Sequence, residues 1–150
     1  MNRRPPAAAA ALGALGLIPF ALGAGLFGYG PEGLRGPALL TLLAYSAAIL
    51  SFLGGVRWGV EIAIHRKPRW GVLAASNLPP LAAWLLLAAG GGFGLTEVQA
   101  LGGFLLAFLL QWAWDSRSNT LPAWYPRLRT LLTLGAVLAL AVAIQASLRL

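Results

Sequence analysis

The sequence predicts an all-α, polytopic membrane bundle of five transmembrane helices, with the N-terminus inside and the C-terminus outside. Three observations predict it. Of 150 residues, 59% are hydrophobic and only 10% charged, whereas a soluble domain is nearer half apolar and a quarter charged. Five stretches approach the roughly 20 apolar residues that a spanning helix needs. The basic residues concentrate in alternate connections. Together these exclude a soluble globule and a disordered chain. The whole chain, 1–150, reads as one integral membrane domain with spans over 7–27, 37–56, 70–89, 98–114 and 128–148.

The first span follows Arg3 and Arg4, as in a secretory signal. Its apolar run is longer than the usual signal core, so a retained helix is expected. Pro19 lies inside it, removes the backbone bond to Leu15 and should kink the helix. The second span ends in the densest pattern of the chain, Ser51-Phe52-Leu53-Gly54-Gly55-Val56-Arg57-Trp58-Gly59. Ser51, Gly55 and Gly59 are four apart and share a face, where small side chains let another helix approach closely. They form a candidate helix-packing face. The third span contains Ser76, Asn77, Pro79 and Pro80. Two readings stand: a kinked helix repaired by its neighbours, or a broken helix whose free N–H groups face a polar cavity. The fourth span opens on Thr96 and Gln99, a capping box, after a flexible turn at Gly90-Gly91-Gly92-Phe93-Gly94. The fifth runs over 128–148.

Nine of the 11 basic residues (Arg3, Arg4, Arg57, Arg66, Lys67, Arg69, Arg117, Arg127 and Arg129) fall on one side of this topology, and only Arg35 and Arg149 on the other. By the positive-inside rule the first side is cytoplasmic. The net charge of +7 is thus a topology signal, and no nucleic-acid partner is implied. Trp58, Trp70, Trp112, Trp114 and Trp124 gather on the same side, with Trp84 opposite. That side suits anionic lipid headgroups in an aromatic belt, or an acidic partner.

Arg57 is the charge that needs explaining. Val60, Ile62, Ala63 and Ile64 keep the segment apolar beyond it, so a helix continuing to Ile64 would draw Arg57 and Glu61 into the bilayer. A buried arginine costs at least about 2.5 kcal/mol on insertion scales unless it is paired. Glu61, four residues on, and Asp115, at the inner end of the fourth span, are the available partners. Gln111 lies one turn before Asp115 on the same face. The expectation is an inner polar cluster of Arg57, Glu61, Gln111 and Asp115, with Asn77 a further candidate. His65, beside Arg66, Lys67 and Arg69, reads as a solvated loop residue.

The chain has no cysteine and one histidine. Thiol chemistry is excluded, no metal or other cofactor is implied, and haem would have only His65 or Met1 as ligand. There is no Walker loop, GxSxG elbow or HExxH motif, and no catalytic residues are assigned. Ser51 and Ser76 are the only hydroxyls worth weighing for an intramembrane enzyme, and no histidine lies in a span to activate them.

Leu50-Ser51-Phe52-Leu53-Gly54-Gly55-Val56-Arg57-Trp58-Gly59 resembles the signature of a bacterial and mitochondrial membrane-protein family of unknown function that includes transmembrane protein 69. Gly16-Leu17-Ile18-Pro19-Phe20, Ser76-Asn77-Leu78-Pro79, Asp115 and the run from Leu121 to Arg129 (Leu-Pro-Ala-Trp-Tyr-Pro-Arg-Leu-Arg) are also similar. The resemblance implies a bacterial cytoplasmic (inner) membrane or its mitochondrial descendant, and no activity. The short N-terminal tail favours the bacterial setting. Three roles compete: a non-catalytic scaffold or accessory subunit with a membrane-protein partner or a second copy; a small-molecule, quinone or lipid carrier, acting as an oligomer with a polar site near Arg57; and an intramembrane enzyme. A wide polar cavity reaching Arg57 would favour the carrier, and a closed bundle with an exposed Gly/Trp face the scaffold.

Overall fold

A computed structural model describes residues 4–90 and 94–149. Among them all regular structure is helical: α1 (Ala7–Leu15), α2 (Ile18–Tyr29), α3 (Glu32–Ile64), α4 (Trp70–Ser76), α5 (Leu78–Gly90), α6 (Glu97–Ser116) and α7 (Tyr125–Ser147). The first and third expected spans are each two helices joined at a bend. Pro19 occupies the first turn of α2, and there the Tyr45 hydroxyl donates to the Gly16 carbonyl at 2.9 Å. In the third span, proline at 79 and 80 removes the N–H groups that would serve the Ala75 and Ser76 carbonyls. Asn77 stays in the right-handed region (φ −86°, ψ −13°), and Leu81 N–H resumes the ladder to the Asn77 carbonyl at 3.2 Å. This is the kinked reading, with α3 packed against the bend.

Among the described residues, four stretches are long and apolar enough to cross a membrane: Ala7–Tyr29, Glu32–Ile64, Trp70–Gly90 and Tyr125–Ser147. The chain is a multi-pass membrane protein. α6 falls outside that set because Glu97, Gln99, Gln111 and Asp115 dilute its apolar character. It turns Gln111 and Asp115 inward, where both are buried. Its start is the expected capping box, with reciprocal bonds of 3.2 and 2.9 Å between Thr96 and Gln99. Of the Gly90–Gly94 turn, residues 91–93 lie outside the described residues, as does Arg3; Gly94 has φ +97°, a value glycine adopts without strain.

α3 runs 33 residues, about 50 Å, well past the expected end at residue 56. Arg57 is therefore an interior residue of the helix. Contacts run α2 to α3, α3 to α5, α5 to α6, α6 to α7 and α7 back to α2, closing a ring across which α3 and α6 also meet. The fully buried Leu42, Leu50, Leu101, Phe104, Phe108 and Leu140 fill it. Phe20 sits edge-on to Tyr45 and Phe108, with ring centroids 5.1 and 5.8 Å apart.

Within the chain, the close helix approach on α3 is not at Ser51, Gly55 and Gly59. A Cβ added at Gly55 or Gly59 meets nothing within 4 Å, and the Ser51 hydroxyl bonds back to the Ala47 carbonyl at 2.8 Å. The contact glycine is Gly54. A Cβ there would lie 2.5 Å from the Ser76 carbonyl oxygen and 2.8 Å from Pro80 Cδ. One residue along a helix is about 100° around it, and the buried face of α3 carries Leu50, Leu53, Gly54, Arg57 and Glu61.

Candidate functional site: a buried arginine pair on Asp115

The C-terminal half of α3, the C-terminal end of α6 and the N-terminal end of α7 meet at Asp115, which is 1% exposed. Arg129 Nε donates to Asp115 Oδ2 at 3.0 Å, and its Nη1 donates to the Thr133 hydroxyl one turn on at 2.8 Å. Gln111 Nε2 donates to Asp115 Oδ1 at 3.2 Å. Arg57 approaches the same oxygen from α3, with Nε at 3.9 Å. Its guanidinium carbon lies 4.3 Å above the centre of the Trp114 ring, a cation–π arrangement, and its Nη1 donates to the Ser118 hydroxyl. Asp115 thus ties three helices through two arginines. Trp112 braces the hairpin from outside, its Nε1 donating to the Thr130 hydroxyl at 2.9 Å.

Of the five residues expected to cluster, the structure brings Arg57, Gln111 and Asp115 together. Glu61 belongs to a separate group. The chain reverses after α3, and Arg69 reaches back to hold the Glu61 carboxylate by its backbone N–H at 2.7 Å, by Nε at 3.0 Å and by Nη2 at 2.8 Å. Those bonds push the Arg69 guanidinium further above its ordinary range. His65 Nδ1 stands 3.4 Å from the same carboxylate, so this histidine leans on Glu61 and is not fully solvated. Asn77 joins neither group. Its side chain is exposed and donates to the Leu73 carbonyl at 2.7 Å, a local bond made at the proline bend.

Arg129 and Thr133 complete the site and were not anticipated there. The sequence reading counted Arg129 among the loop charges, but α7 starts at Tyr125, three residues before the expected 128. The four-residue spacing of Arg129 and Thr133 on one face is the signal that identifies them. Gly23-Ala24-Gly25-Leu26-Phe27-Gly28 spells GxGxxG, but it lies inside α2 with no strand before it, so it lacks the context of a dinucleotide loop. The Ser51 and Ser76 hydroxyls donate to carbonyls of their own helices.

Comparison with known proteins agrees with this reading of the chain as a membrane protein. Residues 5–145 match the family described as protein of unknown function, DUF3429. The chain belongs to this family. It is also 38% identical over 141 residues to transmembrane protein 69 of Xenopus tropicalis, an alignment covering 90% of this chain and 53% of that protein. The chain therefore spans about half the length of the curated relative it matches. No solved structure matches it.

Proposed function

We propose that this family member is a non-catalytic scaffold or accessory subunit of a bacterial cytoplasmic membrane. In this reading it is one domain of five spanning helices, α6 being the fourth span, with the N-terminus inside and the C-terminus outside. At 20 residues, α6 is about 30 Å long, the thickness of the hydrocarbon core. The basic residues on the inner side hold anionic headgroups.

The observation that carries the reading is the way the charged cluster is used. Arg57, Gln111 and Asp115 are buried and spend their contacts on tying α3, α6 and α7 together. A groove between α5 and α6 beside Gln111 is lined by Ala75, Leu78, Pro79, Leu110, Gln111 and Trp114 among others, and Arg57 does not line it. A carrier with a polar site near Arg57 has less support, because that guanidinium is enclosed by Asp115, Ser118 and Trp114. The Ser51–Gly55–Gly59 face is left open for a partner helix.

The test is affinity purification of the chain from its own membrane in mild detergent, followed by mass spectrometry. A stoichiometric membrane-protein partner is expected, and Gly55→Leu with Gly59→Leu should release it. Recovery of the chain alone, or a partner indifferent to that double change, counts against the scaffold role.

A further inference from the structure

Two buried guanidiniums share one carboxylate. Arg57 and Arg129 are 6% and 5% exposed, and both lean on Asp115. The chain has only three other acids, Glu32, Glu61 and Glu97. Glu61 is held by Arg69, Glu32 stands in the first turn of α3 at its other end, and Glu97 is bonded to Ser147 at the far end of α6 and α7. One formal positive charge is therefore left inside the bundle without a protein counter-ion. Burying such a charge is costly unless an anion pairs it. Arg129 also keeps a donor in reserve: its Nη2 is buried and makes no hydrogen bond among the described residues.

Arg129 forms part of the wall of a cavity of about 360 Å³, within the range of about 300–1,000 Å³ typical of small-molecule sites. The rest of the wall is almost wholly apolar, from Ala9 and Leu12 on α1, Leu17 at the bend, Phe20 on α2, Phe52 on α3 and Leu132 on α7 among others. Trp124 and Tyr125 line it at one end and Ala136 further along α7. From Tyr125 to Ala136 is about 16 Å, close to half the hydrocarbon thickness of about 30 Å. The cavity is thus as deep as one leaflet, oily along its length, with an under-paired cation near the end that carries the interfacial aromatics.

We propose that this cavity binds one anionic amphiphile, its acidic head on Arg129 and its hydrocarbon tail between α1, α3 and α7. The head supplies the counter-charge that the protein lacks. A phospholipid phosphate and a fatty-acid carboxylate share this chemistry. The site differs from headgroup binding at the exposed basic rim, because it needs the cavity. It rests on the membrane-embedded reading of the chain and not on the scaffold role, so each can fail without the other.

The test is native mass spectrometry of the full chain in detergent, titrated separately with dioleoyl phosphatidylglycerol, dioleoyl phosphatidylcholine and oleate. One equivalent of phosphatidylglycerol or oleate should bind about tenfold more tightly than phosphatidylcholine, the discrimination given by one charge-assisted contact. Whichever of the two binds more tightly identifies the source of the head. Arg129→Gln also removes half of the Asp115 pairing, so the deciding variant is Ala9→Phe, which fills the cavity from its α1 wall. It should lose the adduct about tenfold with its helical content unchanged, while Arg66→Gln with Lys67→Gln keeps it. Leu12→Trp, at a residue 69% exposed, is a second filler with the same expected result. Equal binding of the zwitterionic lipid, no adduct at all, an adduct indifferent to both fillers, or one lost with the two surface changes alone would overturn the proposal.

Discussion

Gly54 and Gly55 are neighbours on one helix, and they live in different molecules, so to speak. The face of α3 that carries Gly54 also carries Leu50, Leu53, Arg57 and Glu61, all buried. The face that carries Gly55 also carries Phe52, 65% exposed. On the first face a missing Cβ lets the proline bend of the third span come into contact, and one turn further along the same packing buries Arg57. On the second face the missing Cβ leaves room that nothing among the described residues uses. Composition alone therefore does not define a packing surface. What defines it is which residues a step of about 100° brings round with the glycine, and here the charged residues mark the inward side.

The comparison breaks first at Asp115 if the inward face is not held as described. Asp115→Asn keeps the shape but removes the charge shared by Arg57 and Arg129. Taking one partner from a buried ion pair costs about 3–5 kcal/mol, and two cations depend on this one. A large fall in the melting temperature of the purified chain is expected. A change within error would mean that the two guanidiniums already have another anion. Delipidation sharpens the same point, since a protein stripped of amphiphile should lose stability even with Asp115 in place.

Gly54→Val tests the packing half of the inward face. Its branches would run into the Ser76 carbonyl and Pro80, and overpacking a close contact costs about 1–3 kcal/mol. The loss should appear both in thermal melts and in faster proteolysis near residue 77, because the bend would be pushed off α3. Glu61→Gln comes next. Arg69 is exposed enough to rehydrate when released, with 55% of its side chain in contact with solvent, so the loss should be smaller than for either change above. It should show mainly as increased cleavage between residues 65 and 69.

Much of this was legible in the sequence, and the gaps have physical causes. The capping box, the bend at Pro19 and the kink before Pro80 follow from backbone chemistry that acts within four residues, so local reading finds them. Arg57 and Asp115 stood out because charge is scarce in so apolar a chain, and Gln111 because it lies one turn before Asp115 on the same face. Arg129 was missed because a charge near a helix start looks the same whether it faces lipid headgroups or the core; only the hairpin of α6 and α7 brings it to Asp115, 14 residues away. Glu61 was assigned to Arg57 by its four-residue spacing, whereas the reversal at 65–69 delivers a partner from further along the chain that can also offer a backbone N–H. The Ser51–Gly55–Gly59 spacing reports a face that small residues make approachable, and spacing cannot say whether the visitor comes from the same chain.

The smallest effect is expected on that outward face, and it is the one that separates its two explanations. Gly55→Ala and Gly59→Ala add methyl groups to open space and improve helix propensity. Each should leave the stability of the isolated chain within about 0.5 kcal/mol of the parent's, as surface changes do. If the face is merely exposed to lipid, the same holds in the native membrane, and cross-linking from a photoreactive residue at Phe52 yields lipid adducts only. If a partner helix docks there, close approach makes each methyl group intrusive, and the Phe52 cross-link to protein should weaken stepwise from the parent through the single changes to Gly55→Ala with Gly59→Ala. A protein cross-link that the double change leaves intact would place the partner elsewhere on the bundle, and the outward glycines would then owe their presence to helix–lipid contact alone.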